Sequence, residues 1–589
     1  MNRPEPFIVG FDSRAEAGPK RYRLLYLLVA AVALAVYVPG SWWGVPHATA
    51  PDRIRPWATD DETPLGPLAE MNNIREQRDD QNLGYPLMYS FVVAAAYSPY
   101  LGYLYATGRF AEPTPEYPYG LVDPAAALRT LGIIAHLVTA LLATALVVAV
   151  FDAGRVAAGR RAGLLYAALA MLAFPMLYYG RTGNVDVPMI AFGALAFAAF
   201  TRCVIRGTTV RRAAAFGAAA GFALATKEAI LGIFLIMPFV LLYVRHRELR
   251  DTGGLTTWAA WKPLLVGLLV SVIALGAGSG LFVDPERYFS HLSFISGRLD
   301  TLAETADVAG ITTYPYTMAG HIAFARRLLF DLAAILTWPG LALATIGTAW
   351  CLARRRDVAL LILPGIVYVL YMFLTLRAAQ LRYMLPAAVF LALPIAVLAR
   401  DAWASGRASL RAAALIAVGA VVSLHSLRAI DLTAQMILDS RYAAADWLGS
   451  RLRPGDTVEY FGPTQKLPAL PYEVESVRAA PYFGMYVAAD HSDRAIRNIL
   501  AGWDARRPRF VLIIPDHTSQ PGAEDGHTLP PEILDSLASG SQWREAAYFR
   551  TPPVFRWLPM PRLDYPTVNP PIRIFERRPE TEPVDSIGN

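Results

Sequence analysis

The sequence has little charge and almost no cysteine, and each shortage excludes a class of protein. Only 17% of its 589 residues are charged, whereas soluble proteins average about a quarter. The two cysteines, Cys203 and Cys351, lie inside or beside apolar runs, so neither a disulfide framework nor a thiolate metal site is expected. The nine histidines show no HxxxH or HExxH spacing, and no zinc motif is therefore recognisable.

Apolar residues are abundant instead, and they indicate an integral membrane protein. They make up 54% of the chain, with a mean hydropathy of +0.34. Runs near the length that a helix needs to cross a bilayer lie at 24–43, 130–151, 162–180, 188–205, 263–283, 328–351, 358–376, 383–399 and 411–429. A further run, 213–244, is too long for one span and short for two, so we expect a tight hairpin or a broken helix there.

The net charge of +6 comes from short arginine clusters between the apolar runs. Such clusters indicate orientation in a bilayer and not a nucleic-acid partner, because basic loops stay on the cytoplasmic side. Placing all of them in the cytoplasm is self-consistent if 213–244 enters and leaves on that side. The resulting prediction is a multi-pass protein of the inner (plasma) membrane with its C-terminal domain on the exterior.

The stretch 44–129 then forms one long exterior loop. If its apolar segment 85–108 crossed the membrane once, the arginine cluster 155–161, which follows the run 130–151, would lie outside. We therefore expect this segment to dip in and return or to lie along the interface. Pro86 and Pro99 favour a broken segment, because proline interrupts a helix.

The fold class predicted from this pattern is an all-α polytopic membrane protein with about 11 transmembrane helices. Interfacial helices lie in the first exterior loop, and a small C-terminal α/β domain lies outside. The expected regions are a cytoplasmic N-terminus at 1–23, a transmembrane domain at 24–430 and an exterior soluble domain at 431–589. In the last region, "SRYAAADWLGSRL" predicts an amphipathic helix and "RFVLIIP" a buried strand.

A selective set of charges lies in the exterior parts near the membrane surface, where charge is costly unless it is paired or used. The carboxylates are Asp60, Asp61, Glu62 and Asp186, and the cations are Arg181, Lys227, Arg377 and Arg382. Cations facing a cavity at this level suit a lipid phosphate. Carboxylates beside them suit removal of a proton from an acceptor.

Each of these residues also has a structural interpretation. Asp60 could cap a helix that begins at Pro64, and Asp186 could be a turn residue or the N-cap of the next span. Arg377 and Arg382 could extend to lipid headgroups. Lys227 and Glu228 could form an internal ion pair at the tip of a hairpin. Among the histidines, His291 and His321 are the two worth testing, and the tyrosines of 85–105 favour an interfacial belt over a sugar platform.

Taken together, the sequence resembles the GT-C superfamily of membrane glycosyltransferases. The likeness is to its bacterial branch, glycosyltransferase family 39-like, which is related to protein O-mannosyltransferases and aminoarabinose transferases. It covers most of 20–430 and depends on the order and placement of several stretches. These are "TDDETPLGP", "YPLMYSFVVAAAY", "RTGNVDVPMIAFGALAF", "ATKEAILGIFLIMP" and "LRYMLPAAVFLALPIA".

This resemblance implies transfer of a hexose or pentose from a polyprenyl-phosphate sugar to a lipid, glycan or protein acceptor on the exterior face. Asp61 and Glu62 match the family's acidic pair, with Asp61 as the base, and the extra Asp60 leaves the register open by one residue. Asp186 matches the acid of the second exterior loop. The candidates for the donor phosphate are Arg181, Lys227, Arg377 and Arg382. Some members of the superfamily use a divalent metal ion, so that cofactor stays open.

Three rival functions remain to be tested against this one. One is a structural membrane protein whose exterior tail binds a partner, and the concentration of unlike charges at one membrane face argues against it. A polytopic lipid or solute transporter or flippase often has inverted repeats and acids at mid-membrane, and this sequence shows neither. A membrane-embedded acyltransferase would need a histidine or serine nucleophile arrangement, which the sequence does not show.

Overall fold

The computed structural model describes residues 19–58, 60–76, 83–250, 254–304, 314–375, 379–461, 467–471, 474–478, 493–514, 531–558 and 568–579. Within these ranges the chain is mainly helical and ends in a five-stranded sheet. Of the candidate residues, Arg377 lies outside the described ranges.

Helices account for nearly all the described structure as far as Ile437. They are α1 (Pro19–Tyr37), α2 (Leu65–Glu76), α3 (Met88–Ala106), α4 (Pro124–Ala158), α5 (Arg160–Leu172), α6 (Phe174–Tyr179), α7 (Asp186–Arg206), α8 (Val210–Leu224), α9 (Leu231–Phe234), α10 (Met237–Glu248), α11 (Trp258–Ser279), α12 (Pro285–Glu304), α13 (Met318–Leu336), α14 (Trp338–Arg354), α15 (Arg356–Thr375), α16 (Leu385–Ala404) and α17 (Ala408–Ile437).

By length and apolar composition alone, seven described helices could cross a membrane, or eight if the bent pair α13 and α14 forms one span. The sequence predicts about 11 because it also counts the shorter apolar runs that form α1, α5 and α8. The predicted class of a helical membrane protein with a small C-terminal sheet is confirmed.

Helix α4 is the centre of the bundle and packs against α1, α5 and α7. Its ends follow from the sequence: the Asp123 carboxylate accepts from the Ala126 backbone N–H (3.0 Å), and Pro124 occupies the first turn. Gly159, with φ +89°, ends the helix in a conformation that other residues rarely adopt. The result is a 35-residue helix whose middle is buried.

The run 213–244 forms the predicted hairpin. Helix α8 rises to Thr226 and Lys227, a 3₁₀ turn follows at Glu228–Ile230, and α9 and α10 return. The two ends meet, because the Thr208 backbone N–H donates to Glu248 Oε1 (2.8 Å). Since both ends lie together, Lys227 is at the tip of the hairpin.

Two predicted elements differ from those observed. The single run 328–351 is divided between α13 and α14, which meet at 103°. Thr337 at the bend has φ +69°, its hydroxyl accepts from the Gly340 backbone N–H (3.2 Å), and Pro339 lacks an N–H to continue the earlier helix. In the first loop, α3 begins just after Pro86 and runs unbroken through Pro99, so only the first proline interrupts the chain.

The C-terminal domain, hereafter the sheet domain, is a mixed sheet with helices on both faces. Its strands are β1 (Thr457–Phe461), β2 (Glu475–Arg478), β3 (Phe510–Ile513), β4 (Trp543–Phe549) and β5 (Ile572–Arg577), in the order β2-β1-β3-β5-β4. β2, β1 and β3 are parallel, while β5 is antiparallel to both of its neighbours. The helices are α18 (Ser440–Gly449), α19 (Asp493–Arg506) and α20 (Pro531–Ala538). The helix and the buried strand predicted for this region correspond to α18 and β3.

Candidate functional site

Asp61 is almost completely buried, and each of its carboxylate oxygens meets two polar partners. Oδ1 accepts from the backbone N–H of Thr63 (3.0 Å) and from its hydroxyl (2.6 Å). Oδ2 accepts from the Gly183 backbone N–H (2.7 Å) and lies 2.8 Å from His136 Nε2. These four partners occupy the lone pairs of the carboxylate. Asp61 therefore ties the first loop to the turn before α7 and to α4.

His136 lies fully buried in α4 and shares a proton with Asp61. Its Nδ1 is 2.7 Å from the Ser41 backbone carbonyl, which only accepts, so Nδ1 carries a proton. Nε2 then either donates to Asp61 as part of an imidazolium or accepts from a protonated Asp61. In either arrangement one proton lies between the two side chains, and Asp61 is not directed towards a substrate.

Asp60 points the other way. Its backbone has φ +55°, the left-handed conformation, which turns adjacent side chains to different sides of the loop. The carboxylate is 25% exposed, lines a pocket and forms an ion pair with Arg382 Nη1. Of the first two acids in the cluster, Asp60 is thus the one that a bound molecule can reach.

Arg382, Asp186 and Lys227 continue from Asp60 as a chain of alternating charge. Arg382 is buried, its Nε donates to Gln380 Oε1 (2.8 Å), and its Nη1 lies 3.7 Å from Asp186 Oδ2. Lys227 Nζ lies 2.6 Å from Asp186 Oδ1. The fold therefore brings four candidate residues together from the first loop, α7, the hairpin tip and the turn before α16.

The pocket beside Asp60 encloses about 410 Å³ of empty space, part of it open to solvent. Its described lining residues are Asp60, Glu62, Thr63, Pro67, Glu70, Tyr85, Pro86, Tyr89, Ser90, Gly183, Val185 and Arg287. Asp61 is not among them. Burial, assisted by the charge of Asp60, raises the pKa of the Tyr85 hydroxyl, which therefore keeps its proton as a donor at neutral pH.

Arg287 and Glu70 are pocket residues that the sequence did not single out. Arg287, in α12, is buried; its Nε donates to Glu70 Oε2 (2.9 Å) and its Nη2 to the Tyr85 backbone carbonyl (3.1 Å). Arg287 follows the apolar run 263–283, on the side that the placement of the arginine clusters makes exterior, but nothing local marks it as a wall of the same pocket. A basic residue in a predicted exterior segment, against the positive-inside pattern, was the available signal.

The remaining candidates lie apart from this charge chain. Arg181 is buried and donates from Nη2 to the Val36 backbone carbonyl (2.6 Å), so it braces the end of α1 and does not line the pocket. Glu62 is exposed at the pocket rim.

The suggested ion pair between Lys227 and Glu228 is wrong. Lys227 binds Asp186, as described above, and Glu228 pairs with His291 of α12. His291 also contacts the Leu83 backbone carbonyl through Nδ1 (2.7 Å), whereas His321 contacts the Thr317 carbonyl in its own helix.

The described residues contain no group of three or more histidine, cysteine, aspartate or glutamate side chains placed to hold a metal ion. Three acids at or beside the pocket have cationic partners: Glu70 binds Arg287, Asp60 binds Arg382, and Asp186 binds Lys227.

No protein-family model matches the chain, and no curated protein matches its sequence. Among solved structures, the chain is similar to ArnT from Cupriavidus metallidurans bound to undecaprenyl phosphate, at 13% identity over 95% of this chain and 98% of that one, with a TM-score of 0.43. It is also similar to the archaeal oligosaccharyltransferase AglB from Archaeoglobus fulgidus in complex with an inhibitory peptide and a dolichol-phosphate. There the identity is 11% over 84% and 70% of the chains, with a TM-score of 0.41.

A third similar structure is the arabinofuranosyltransferase AftD from Mycobacteria, at 15% identity over 94% of this chain and 40% of that one, with a TM-score of 0.41.

Proposed function

We propose that the protein is a membrane glycosyltransferase that moves a sugar from a polyprenyl-phosphate donor to an acceptor on the exterior face of the inner membrane. The observation that carries this proposal is a reachable carboxylate, Asp60, in a pocket that the buried cation Arg287 also lines. Asp60 pairs with the buried Arg382, which leads through Asp186 to Lys227. Glycosyl transfer from a phosphate needs both: a base for the acceptor and cations for the leaving group.

Asp60 is the base in this proposal, and Asp61 is its anchor. The sequence resemblance favours Asp61, but all four polar partners of Asp61 are protein groups, and Asp60 faces the pocket. In this proposal the base is therefore Asp60, one residue before the Asp61 that the family motif suggests.

The cations provide the site for the donor phosphate. Arg382 presents a planar group suited to two phosphate oxygens, and Lys227 lies on the other side of Asp186. When the phosphate replaces Asp60 at Arg382, the carboxylate is released from its ion pair and becomes free to accept a proton. Arg287, from α12, adds a positive side chain to the lining of the pocket.

The chemical step follows from these positions. Asp60 takes the proton of the acceptor hydroxyl or amine as the acceptor atom bonds to the anomeric carbon. The bond from that carbon to the phosphate oxygen breaks, and polyprenyl phosphate leaves with the electron pair. Arg382 and Lys227 stabilise its charge, while nearby carboxylates stabilise the oxocarbenium-like transition state. One displacement inverts the anomeric centre, so a product with retained configuration would contradict this step.

The test is sugar transfer by the purified protein from a panel of polyprenyl-phosphate hexoses and pentoses. Asp60→Asn should lower kcat by roughly 10²–10⁴-fold, the usual contribution of a general base, with the thermal unfolding midpoint unchanged. Asp446→Asn, on an exposed face of α18, is the matched control and should behave as wild type.

Asp61→Asn separates the two roles. It replaces an acceptor with an amide that turns a donor towards the surrounding donors, so we expect a lower unfolding midpoint as well as lower activity. A wild-type kcat in Asp60→Asn would exclude Asp60 as the base. Movement of the lipid across vesicles with no sugar transfer would favour the transporter alternative.

A further inference from the structure

The loop that carries Asp60 is attached to the sheet domain through a buried tryptophan three residues earlier. Trp57 is 3% exposed, and its indole Nε1–H donates to the Leu467 backbone carbonyl (3.2 Å). Its ring packs against Tyr442 of α18, with the ring centres 5.1 Å apart. Both partners belong to the sheet domain, so this loop is held from outside the helical bundle.

Arg441, at the start of α18, is the strongest part of this attachment. Its guanidinium carbon lies 3.8 Å from the centre of the Trp57 ring, which is a cation–π stack. The same guanidinium donates from Nε and Nη2 to the two oxygens of Asp439, at 2.8 and 2.7 Å. The Trp43 indole also donates to Asp439 (3.0 Å). Because the Arg441 and Asp439 side chains are fully buried, the guanidinium is fixed against Trp57.

A second attachment lies four residues upstream of Trp57. Arg53 is buried, and its Nη2 donates to the Val474 backbone carbonyl (2.9 Å) and to Ser476 Oγ (3.1 Å) beside β2. The first loop is therefore held by the sheet domain at two successive points before it reaches the acids.

On the other side of Asp60, the chain is held by the helical bundle. Asp61 is fixed by Gly183 and His136, as described above. Asp60 thus lies between an attachment to the sheet domain and an attachment to the bundle. Its left-handed φ of +55° is the local conformation that joins these two fixed points.

We propose that the sheet domain positions the base: the stack of Arg441 on Trp57 sets where the Asp60 carboxylate lies relative to the donor. This inference rests on the proposed function. Arg441 and Trp57 are positioning residues, since neither lines the pocket and both act through the loop. The cations of the donor site come from other elements, so the stack acts on the base directly and on donor binding only through the ion pair of Asp60 with Arg382.

The test uses the full-length protein with Arg441→Lys. Lysine keeps the charge beside Asp439 but loses the planar stack on Trp57. A displacement of about 1 Å at a reacting group costs on the order of 10²-fold in rate, so kcat should fall by roughly that factor, with a smaller change in the donor KM. Trp57→Phe, which keeps a ring but loses the indole N–H, should give a smaller loss.

Arg506→Lys is the matched control, because Arg506 also pairs with a buried carboxylate, Glu459, but within the sheet domain. It should leave kcat unchanged. In an Asp60→Asn background, Arg441→Lys should cause no further loss, because two changes that act through one group are not additive.

If Arg441→Lys lowers kcat by the same factor in the wild-type and the Asp60→Asn backgrounds, the positioning role is overturned. A wild-type kcat for both Arg441→Lys and Trp57→Phe would also overturn it. If Arg441→Lys fails to fold, wild-type kcat in Trp57→Phe alone overturns it. If the wild-type protein transfers no sugar from any donor, the proposed function itself fails, which is a different result from active wild type with unaffected variants.

Discussion

At the scale of single residues, neighbouring carboxylates in the first loop have opposite environments. Asp61 is surrounded by donors, whereas Asp60 lines a pocket and pairs with Arg382. The difference arises from backbone conformation, since a positive φ at Asp60 directs the two side chains to different sides. A variant that moves the carboxylate from one of these positions to the other is therefore not expected to keep the function of the original residue.

The buried pair of Lys227 and Asp186 allows binding and folding to be separated. Lys227→Met should destabilise the protein by about 3 kcal/mol, because it leaves a buried carboxylate with only Arg382, 3.7 Å away. Adding Asp186→Asn should restore most of that stability, since the uncompensated charge is removed. Unfolding in mixed detergent micelles measures both changes.

Donor binding should remain weak in the double variant Lys227→Met with Asp186→Asn, because the Lys227 ammonium group is still absent. Recovery of stability together with recovery of the donor KM would show that Lys227 has only a structural role.

The sequence identified most of the charge chain, since each member interrupts or flanks an apolar run. It could not rank Asp60 against Asp61, because the partners that decide this are 75 and 122 residues away from Asp61. Arg287 was missed for the same reason: the Glu70 carboxylate that it binds is 217 residues distant. Local pattern gives the type of residue, while long-range contacts determine its role.

At the scale of elements, α8 and α11 pack closely through glycine. A Cβ at Gly217 would lie 2.0 Å from the Gly267 backbone oxygen, and one at Gly221 would lie 2.4 Å from the Ser271 backbone oxygen. Small residues four apart permit this close approach of helices in membranes. The hairpin that carries Lys227 is therefore placed by a backbone contact.

Gly217→Ala should force the two helices apart and cost about 1–3 kcal/mol of stability, as overpacking does. Gly419→Ala in α17 is the control, because a Cβ there meets nothing within 4 Å. The free energies of unfolding of both variants test this. An equal stability of the two variants would contradict a close α8–α11 contact.

Helix α12 is held over the pocket by Arg287 and by the pair of His291 with Glu228, and the second attachment depends on pH. Burial lowers the pKa of His291, but the hydrogen bond and charge of Glu228 outweigh burial and the repulsion of Arg287, so the net shift is upward. A raised pKa gives stabilisation that is complete below the ordinary value of about 6.5 and is lost as pH rises through the folded value.

We therefore expect the amides of α12 to exchange faster with deuterium as pH rises above neutrality, after correction for the intrinsic rate. His291→Gln should remove this dependence while the contact of Arg287 with Glu70 remains. Protection that increases with pH in the wild-type protein would be the opposite of the expected sign.

Apolar runs predicted the positions of most helices, because burial in lipid leaves the backbone no alternative to internal hydrogen bonds. They failed where one run contained two helices, at the Thr337 bend, since the run itself stays apolar across the break. They also overestimated the effect of Pro99, which lies inside α3. The hairpin was predictable from its excess length and its two central charges.

At the scale of the whole molecule, composition predicted a membrane protein, the lengths of the apolar runs predicted its helices, and local pattern in the polar C-terminal region predicted a small α/β domain. The contact of that sheet with the first loop was not predictable, because it joins residues about 400 positions apart through indole and guanidinium groups. The division at residues 430 and 431 and the placement of the sheet domain outside the cell stay predictions.

Cysteine labelling tests this orientation, since Cys203 and Cys351 are fully buried and give little background. An impermeant maleimide should label Asp446→Cys in intact spheroplasts. Arg160→Cys, at the exposed first residue of α5 in a basic cluster, should be labelled only after the membrane is opened. Labelling of the two variants in the reverse pattern would invert the proposed topology.

The short connection between α17 and α18 restricts how the molecule can work. Only Leu438 and Asp439 separate the two helices, and Asp439 is itself held by Trp43 and Arg441. A connection this short, with one of its two residues held by side-chain contacts, does not allow the sheet domain to rotate away from the helical bundle. For the proposed transfer, this predicts that the sheet domain stays in place through the reaction cycle, so the size of the acceptor is limited by the walls of the pocket and not by domain opening and closing.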